Sequence, residues 1–335
     1  MKINLLDILA CPKCGSSLTL ESEKTQDSRE ISEGGLTCKG CQKTYPITNG
    51  IPRFVEQDNY ASSFGYQWNL FRKEQIDSFN GTNLSAERFW TETGWTKESL
   101  KGKWILDAGC GAGRFLDVAS TSEAEIVGID ISNAVDAAKE NLKGRENVHL
   151  VQASLYELPF RKDVFDCCYC IGVIQHTPDP AKTMASLPEF IKENGQIALT
   201  IYEKRKWFTL FNSKYLLRPI TCRLPQTFLL KLIKGSMPVF FPLTNILFRV
   251  PVLGKVFKFI IPIANYVSEP HLSSKQRYAW AVLDTFDMLA PAFDQPQTEP
   301  EVKRILSDTG ISNIKRLENP GLNLVGEKRA SNRKF

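Results

Sequence analysis

Two C-x-x-C pairs stand near the start of the chain, Cys11/Cys14 in "CPKC" and Cys38/Cys41 in "CKGC". Each pair sets two thiolates on one tight turn, and two such turns complete a tetrahedron around Zn²⁺. A redox C-x-x-C needs a single pair in a βαβ setting, and none surrounds these; a disulfide or free thiols stay open. Four thiolates leave no position open for substrate, so the expected zinc is structural. The stretch between the pairs, Gly15 to Thr37, is polar and charged. It is expected to build no core, so that the metal supplies the folding energy.

A second group with chemical potential is "LDAGCGAGRF", Leu106 to Phe115. Gly109, Gly111 and Gly113 follow an apolar run, as a strand followed by a turn that lets a ligand approach the backbone. A dinucleotide fingerprint wants a glycine where Arg114 stands, and a phosphate loop wants a lysine and a hydroxyl that do not follow. Both phosphate readings fit poorly, and an ordinary strand–turn–helix corner stays open. The next apolar run, "AEIVGID", ends on Asp130, about twenty residues past the turn. A carboxylate at that strand tip can accept both ribose hydroxyls of an adenosine, while Ser132 can cap the helix that follows.

The D-x-G-x-G-x-G pattern resembles motif I of class I S-adenosylmethionine (SAM) methyltransferases. "GAGRF", "DISNAVDAA", "ELPF" and "IGVIQHTPDP" are similar to a bacterial, type 11-like group of that class over most of residues 60–202. "LLDILACPKCGSSL" and "KTYPITNGIPRF" resemble the Trm112-like zinc ribbons, which act as activators or accessory modules of methyltransferases. The resemblance implies SAM as cofactor. It places Asp107 on the ammonium side, Gly109, Cys110, Gly111 and Gly113 along the amino-acid moiety, and Asp130 with Ile131 at the ribose. Ser154 stands where relatives carry an acid for the adenine amino group, and Leu155 would pack on the adenine. Many relatives have two histidines where this chain has Gln175-His176. In "FGYQWNLF", Tyr66 or Trp68 is expected to close a lid over the cofactor, against the plainer reading of a helix packed on the core.

Methyl transfer mainly requires alignment, with a base only where the acceptor must lose a proton. His176, His271 and Asp284 are the candidates for that base, each against a purely structural role. Asp284 and Asp287, three residues apart, would share one helix face. Cys167, Cys168 and Cys170 read as small core residues in a buried strand.

These residues need a frame. Alternating strands and helices imply an α/β fold with a doubly wound, mostly parallel seven-stranded sheet. The expected organisation is a zinc ribbon over 1–56, a helical lid over 57–100, a SAM-binding core over 101–202, an insertion over 203–268, and a closing helix and hairpin over 269–335. The fourth strand is expected to end at Gln175-His176. The insertion holds eleven lysines and arginines against the single acid Glu203, mixed with many apolar residues and with prolines expected to break it into short pieces. It reads either as a helical cap over the site or as an element lying on an anionic membrane surface. Nucleic acid is the less favoured partner, because its aromatics sit among aliphatics and do not form stacking platforms.

The chain has 335 residues, 42% of them hydrophobic, and a formal charge of +5, which alone is weak evidence for any partner. Asp7 interrupts the N-terminal apolar stretch, which has no secretion-signal pattern. With nine cysteines, the expected setting is reducing and cytoplasmic, with peripheral contact at the inner membrane face as an extension. The leading expectation is a SAM-dependent methyltransferase acting at oxygen or carbon of a small or lipid-linked acceptor. An RNA methyltransferase and an inactive accessory protein stay open beside it.

Overall fold

The computed structural model describes residues 1–27, 30–55, 60–204 and 212–330. The chain begins with a 3-10 turn, Ile3–Asp7, and a four-stranded antiparallel sheet: β1 (Leu18–Asp27), β2 (Glu30–Cys38), β3 (Thr44–Thr48) and β4 (Ile51–Pro52). Asn49 and Gly50 both take positive φ and close the β3–β4 hairpin, as a two-residue hairpin turn requires. Four helices follow: α1 (Ser62–Leu70), α2 (Asp77–Asn80), α3 (Leu84–Thr93) and α4 (Lys97–Leu100). The central layer then alternates β5 (Trp104–Ala108), α5 (Arg114–Ala119), β6 (Glu125–Asp130), α6 (Ala134–Asn141), β7 (Val148–Gln152), β8 (Phe165–Ile171), α7 (Pro180–Ser186) and β9 (Ile191–Ile201). The helices α8 (Ser213–Thr221), α9 (Gln226–Leu247), α10 (Leu253–Ile260) and α11 (Ser274–Leu289) intervene before α12 (Glu299–Asp308), β10 (Ile311–Arg316) and β11 (Leu322–Lys328) close the sheet.

The large sheet has seven strands in the order β10-β11-β9-β8-β5-β6-β7. β5 to β9 are parallel, and β11 runs antiparallel between β9 and β10. This is the doubly wound arrangement expected from the sequence. The chain winds one way from β5 to β7 and the other from β8 to β9, so the crevice opens at the carboxyl ends of β5 and β8. Strands buried on both faces explain the unbroken apolar runs: Ile126, Val127 and Ile129 of β6, and Cys167, Cys168 and Cys170 of β8, are fully buried. β8 ends at Ile171, earlier than expected. Gly172 turns the backbone at φ +73°, and His176 lies on the 3-10 turn Ile174–His176.

The N-terminal sheet is not a separate body. It docks along β7: the Phe54 amide donates to the Gln152 carbonyl (2.8 Å), the Ala10 amide to the Pro159 carbonyl (3.0 Å) and the Arg161 amide to the Ile8 carbonyl (2.8 Å). Leu5, Leu9, Leu18, Ile31 and Leu36 join Val151, Leu158, Phe160 and Phe165 in one buried cluster. Leu18, Ile31 and Leu36 belong to the stretch expected to build no core. Pairing as a hairpin gathers these scattered apolar residues into one buried cluster, each worth roughly 1.5–3 kcal/mol of burial.

The insertion also differs from expectation. α9 runs 22 residues through Pro238 and Pro242 without a break. Both prolines and Lys234 are exposed, so carbonyls freed by the missing amides lie on the solvent side. Leu229, Leu230, Ile233, Met237 and Phe241 meanwhile bury against Ala281, Val282, Phe286 and Leu289 of α11. That burial offsets the roughly 3 kcal/mol each proline costs inside a helix. α11 thus packs with α9 of the insertion, and α12 precedes β10 and β11, which complete the sheet. Arg205 and Lys206 lie outside the described residues. Among the described residues, no helix is long and apolar enough to cross a membrane.

Candidate active site

A cleft of about 560 Å³ lies between the carboxyl ends of β5, β6 and β8 and the helices α1, α3 and α11. The glycine turn forms one wall. Its geometry is held by the Gly109 and Cys110 amides, which donate to the Ile129 carbonyl (2.8 and 2.9 Å). Gly109 sits at φ +98°, and a Cβ there would stand 2.5 Å from Val173. A Cβ on Gly111 would meet the Trp68 indole nitrogen at 3.3 Å. Gly109, Cys110 and Gly111 line the cleft. Gly113, at φ +87°, instead presses toward Leu142 after α6, where a Cβ would come within 2.8 Å. It serves helix packing and is not among the lining residues.

Asp130 closes β6 and lines the cleft. Its Oδ2 accepts from the Gly111 amide (3.0 Å); its Oδ1 accepts from the Ser132 amide (2.8 Å) and hydroxyl (2.7 Å). Burial raises its pKa, and these hydrogen bonds oppose the rise. The Ser132 oxygen also accepts from the Ala134 amide (3.2 Å), so it caps the start of α6 while holding Asp130. Asp107 lies deeper. It is buried, accepts the Tyr169 hydroxyl at 2.9 Å, and is absent from the lining. Burial pushes its pKa well above the carboxylate range.

Ile131 and Leu155 bring apolar surface beside Asp130. Ser154 does not line the cleft; its oxygen accepts from the Tyr156 amide at 3.1 Å. α1 presents Phe64 and Trp68 to the cleft, while Tyr66 turns to Phe286 of α11, with ring centroids 6.3 Å apart.

The opposite end is polar. Asp284 and Asp287 of α11 both line it, with Arg88, Arg114, Gln75 and His176. Gln75 donates to Asp284 (3.1 Å) and accepts from Arg114 (2.8 Å); Arg114 also donates to the Ser85 hydroxyl (2.9 Å) and lies over the Phe115 and Trp280 rings. Burial, reinforced by Asp287, raises the Asp284 pKa to about 7 against the pull of Arg114 and Arg88. Burial lowers that of Arg114 to about 10, so it stays charged. His176 is buried between Phe64 and Tyr202, and its Nδ1 lies 2.9 Å from the Phe293 carbonyl. A carbonyl only accepts, so Nδ1 carries the proton and Nε2 is the basic nitrogen of the neutral ring. His271 is exposed on the loop before α11 and lines nothing here. Arg88 and Trp280 were missed by sequence reasoning, since neither sits in a motif.

The four N-terminal sulfurs gather separately. Cys11, Cys14, Cys38 and Cys41 place their Sγ atoms within 4.8 Å of one another, with Cys11–Cys41 at 3.7 Å and Cys14–Cys38 at 3.4 Å. Zn–S bonds of about 2.3 Å in a tetrahedron put sulfurs about 3.8 Å apart, so the set fits zinc. The Gly40 and Cys41 amides approach the Cys38 sulfur at 3.4 Å, and the Tyr45 hydroxyl lies 3.3 Å from Cys11. These contacts orient the sulfurs as outer-shell partners do.

Residues 106–199 match the family described as a methyltransferase domain, and residues 2–50 match the Trm112p-like proteins. The chain is 30% identical over 125 residues to a ubiquinone biosynthesis O-methyltransferase of Aromatoleum aromaticum, covering 36% of this chain and 53% of that protein. A protein of the same name from Coxiella burnetii is 26% identical over 122 residues, covering 35% and 52%. The chain thus spans about half the length of these relatives. Among solved structures, a complex containing the Haloferax volcanii Trm112 methyltransferase activator superposes with a TM-score of 0.46 at 10% identity, covering 83% of this chain and 100% of that one.

Proposed function

From a methyltransferase domain of class I fold behind a Trm112p-like ribbon, we propose that the chain transfers the methyl group of SAM to oxygen or carbon of a small or lipid-linked acceptor. The observation that carries this reading is a single cleft that joins Asp130 and the open glycine turn to the titratable groups of α11 and the His176 turn. A cleft of this size suits one cofactor with a small acceptor. When bound, SAM supplies a methyl group already activated by its sulfonium.

The protein's part is to bind and align. The Asp130 carboxylate is held in place by donors from Gly111, Ser132 and the Ile131 amide. Facing the cleft, it offers acceptor oxygens to the ribose hydroxyls. Ile131 and Leu155 offer the apolar surface an adenine needs, and Gly109 and Gly111 leave the backbone open to the amino-acid end. Trp68 of α1 covers the turn and excludes water. An acceptor lies toward α11, where the carboxylate of Asp284 or Nε2 of His176 takes its proton. The acceptor reaches this end either from solution or from a membrane surface that residues 203–268 meet.

The test uses purified full-length protein, methyl-labelled SAM and a cell extract containing membranes, with products separated into organic, RNA, protein and small soluble fractions. Label in the organic or small soluble fraction, lost with Asp130→Ala, is expected. Label confined to RNA, or none despite bound SAM, would overturn the proposal.

A further inference from the structure

We propose that α8, α9 and α10 form one face that docks on the surface of an anionic lipid bilayer. Thirteen of the seventeen exposed large apolar side chains among the described residues lie on these helices or at their ends. They form stripes. On α9, Phe228, Leu232, Val239, Leu243 and Ile246 fall within about 60° of one another on a helix of 3.6 residues per turn. The residues that bury against α11, Leu229, Ile233, Met237 and Phe241, occupy a different side of the same helix. α9 is thus apolar on two sides, and among the described residues only one has a partner within the chain. On α10, Leu253, Val256 and Ile260 share a stripe, and Val252 before it is 83% exposed. On α8, Leu216 and Ile220 stand one turn apart and are both exposed.

The charge pattern selects the occupant. Residues 204–268 hold eleven of the chain's 42 lysines and arginines and none of its 37 acids, so the remainder of the chain is net acidic. Arg223, Lys231, Lys234, Arg249, Lys255 and Lys258 are exposed. An apolar stripe flanked by cations, on helices unable to span a bilayer, is the pattern of a helix lying at an anionic lipid interface. A second copy of this chain fits worse, because a symmetric contact through this face sets its cations against the same cations. A soluble acidic partner would answer the cations but not the stripes of Val239, Leu243 and Ile246.

The face stands apart from the cleft, so its test does not depend on the methyltransferase reading. Full-length protein is sedimented with vesicles of phosphatidylcholine alone, or with about a third phosphatidylglycerol, at low and high salt. The wild type is expected to pellet with anionic vesicles at low salt and about tenfold less with neutral ones or at high salt. Val239→Glu/Leu243→Glu/Ile246→Glu should reduce pelleting at least about tenfold while melting temperature and helix content stay unchanged. Should that variant misfold, Val252→Asn with Ile260→Asn at α10 repeats the test where side chains are exposed. A wild type that stays in the supernatant with anionic vesicles, or folded variants that pellet like it, would overturn the proposal. So would a wild-type dimer in solution that these substitutions dissolve, with no vesicle binding.

Discussion

The proposed division of labour rests on two carboxylates kept in opposite conditions. Asp130 is surrounded by donors; Asp284 faces Asp287 and has one amide donor, from Gln75. Asp130→Ala should weaken SAM binding by about 1–3 kcal/mol, since it removes a ribose partner and the brace on the Gly111 amide. Calorimetric titration checks this, and unchanged affinity would take Asp130 out of the site. For Asp284, the folded pKa near 7 lies above its unfolded value of 3.8. The folded state therefore holds the proton longer. This group's stabilising contribution is complete below pH 3.8 and is lost as pH rises through 7. Asp284→Asn, which cannot ionise, should thus raise the melting temperature more at pH 8 than at pH 5. If Asp284 is the base, the same substitution should remove a rise in turnover centred near pH 7. Equal shifts in melting temperature at both pH values would mean that the carboxyl is not held neutral. Asp130 was legible because it ends an apolar run at the distance a second strand requires. Tyr66 and Trp68 were legible only as a pair: two positions apart on α1 they point about 200° apart, and only packing decides that Trp68 meets the cleft.

At the scale of elements, the sheet was readable because buried parallel strands leave unbroken runs such as Ile126–Ile129, and because the turn after β5, at φ +98°, requires a glycine at 109. Gly109→Ala puts a Cβ at φ +98° and within 2.5 Å of Val173. It should cost about 1–3 kcal/mol of stability, visible as a lower urea midpoint with an unchanged slope. A midpoint equal to wild type would mean the turn can relax. What the sequence hid was determined by partners distant in the chain. Nothing local in α9 says that Pro238 and Pro242 are tolerated; the reason is the apolar face of α11, more than thirty residues on. His271 looked equivalent to His176 by residue type, yet one lies on an exposed loop and the other is clasped by Phe64, Tyr202 and the Phe293 carbonyl. Arg88 reaches the cleft from α3, outside the sheet, where no periodicity marks it.

At the scale of the whole molecule, the ribbon's position changes what metal removal should do. The sequence suggests a module that zinc alone holds together. The structure instead merges Leu5, Leu9 and Leu36 with Val151 and Phe160 in one core, so loss of the ribbon exposes the flank of the sheet. A polar path also crosses the boundary. Arg53 pairs with Asp136 of α6 (2.6 Å) and donates to the Gln152 side-chain oxygen (2.6 Å); the Gln152 amide donates to the Ile131 carbonyl and the Asn133 side chain, both at 3.1 Å. Ile131 lines the cleft beside Asp130. Chelation should therefore give one melting transition at lower temperature, and SAM affinity should fall with it. Arg53→Ala tests the path without touching the metal: zinc content stays at one per chain, while SAM binding weakens because Gln152 no longer fixes the loop. Two transitions after chelation, the upper one unmoved, together with normal SAM affinity in Arg53→Ala, would mean that ribbon and sheet only touch. A single lowered transition with weakened binding would mean that the Trm112p-like segment holds the loop after β6 in place.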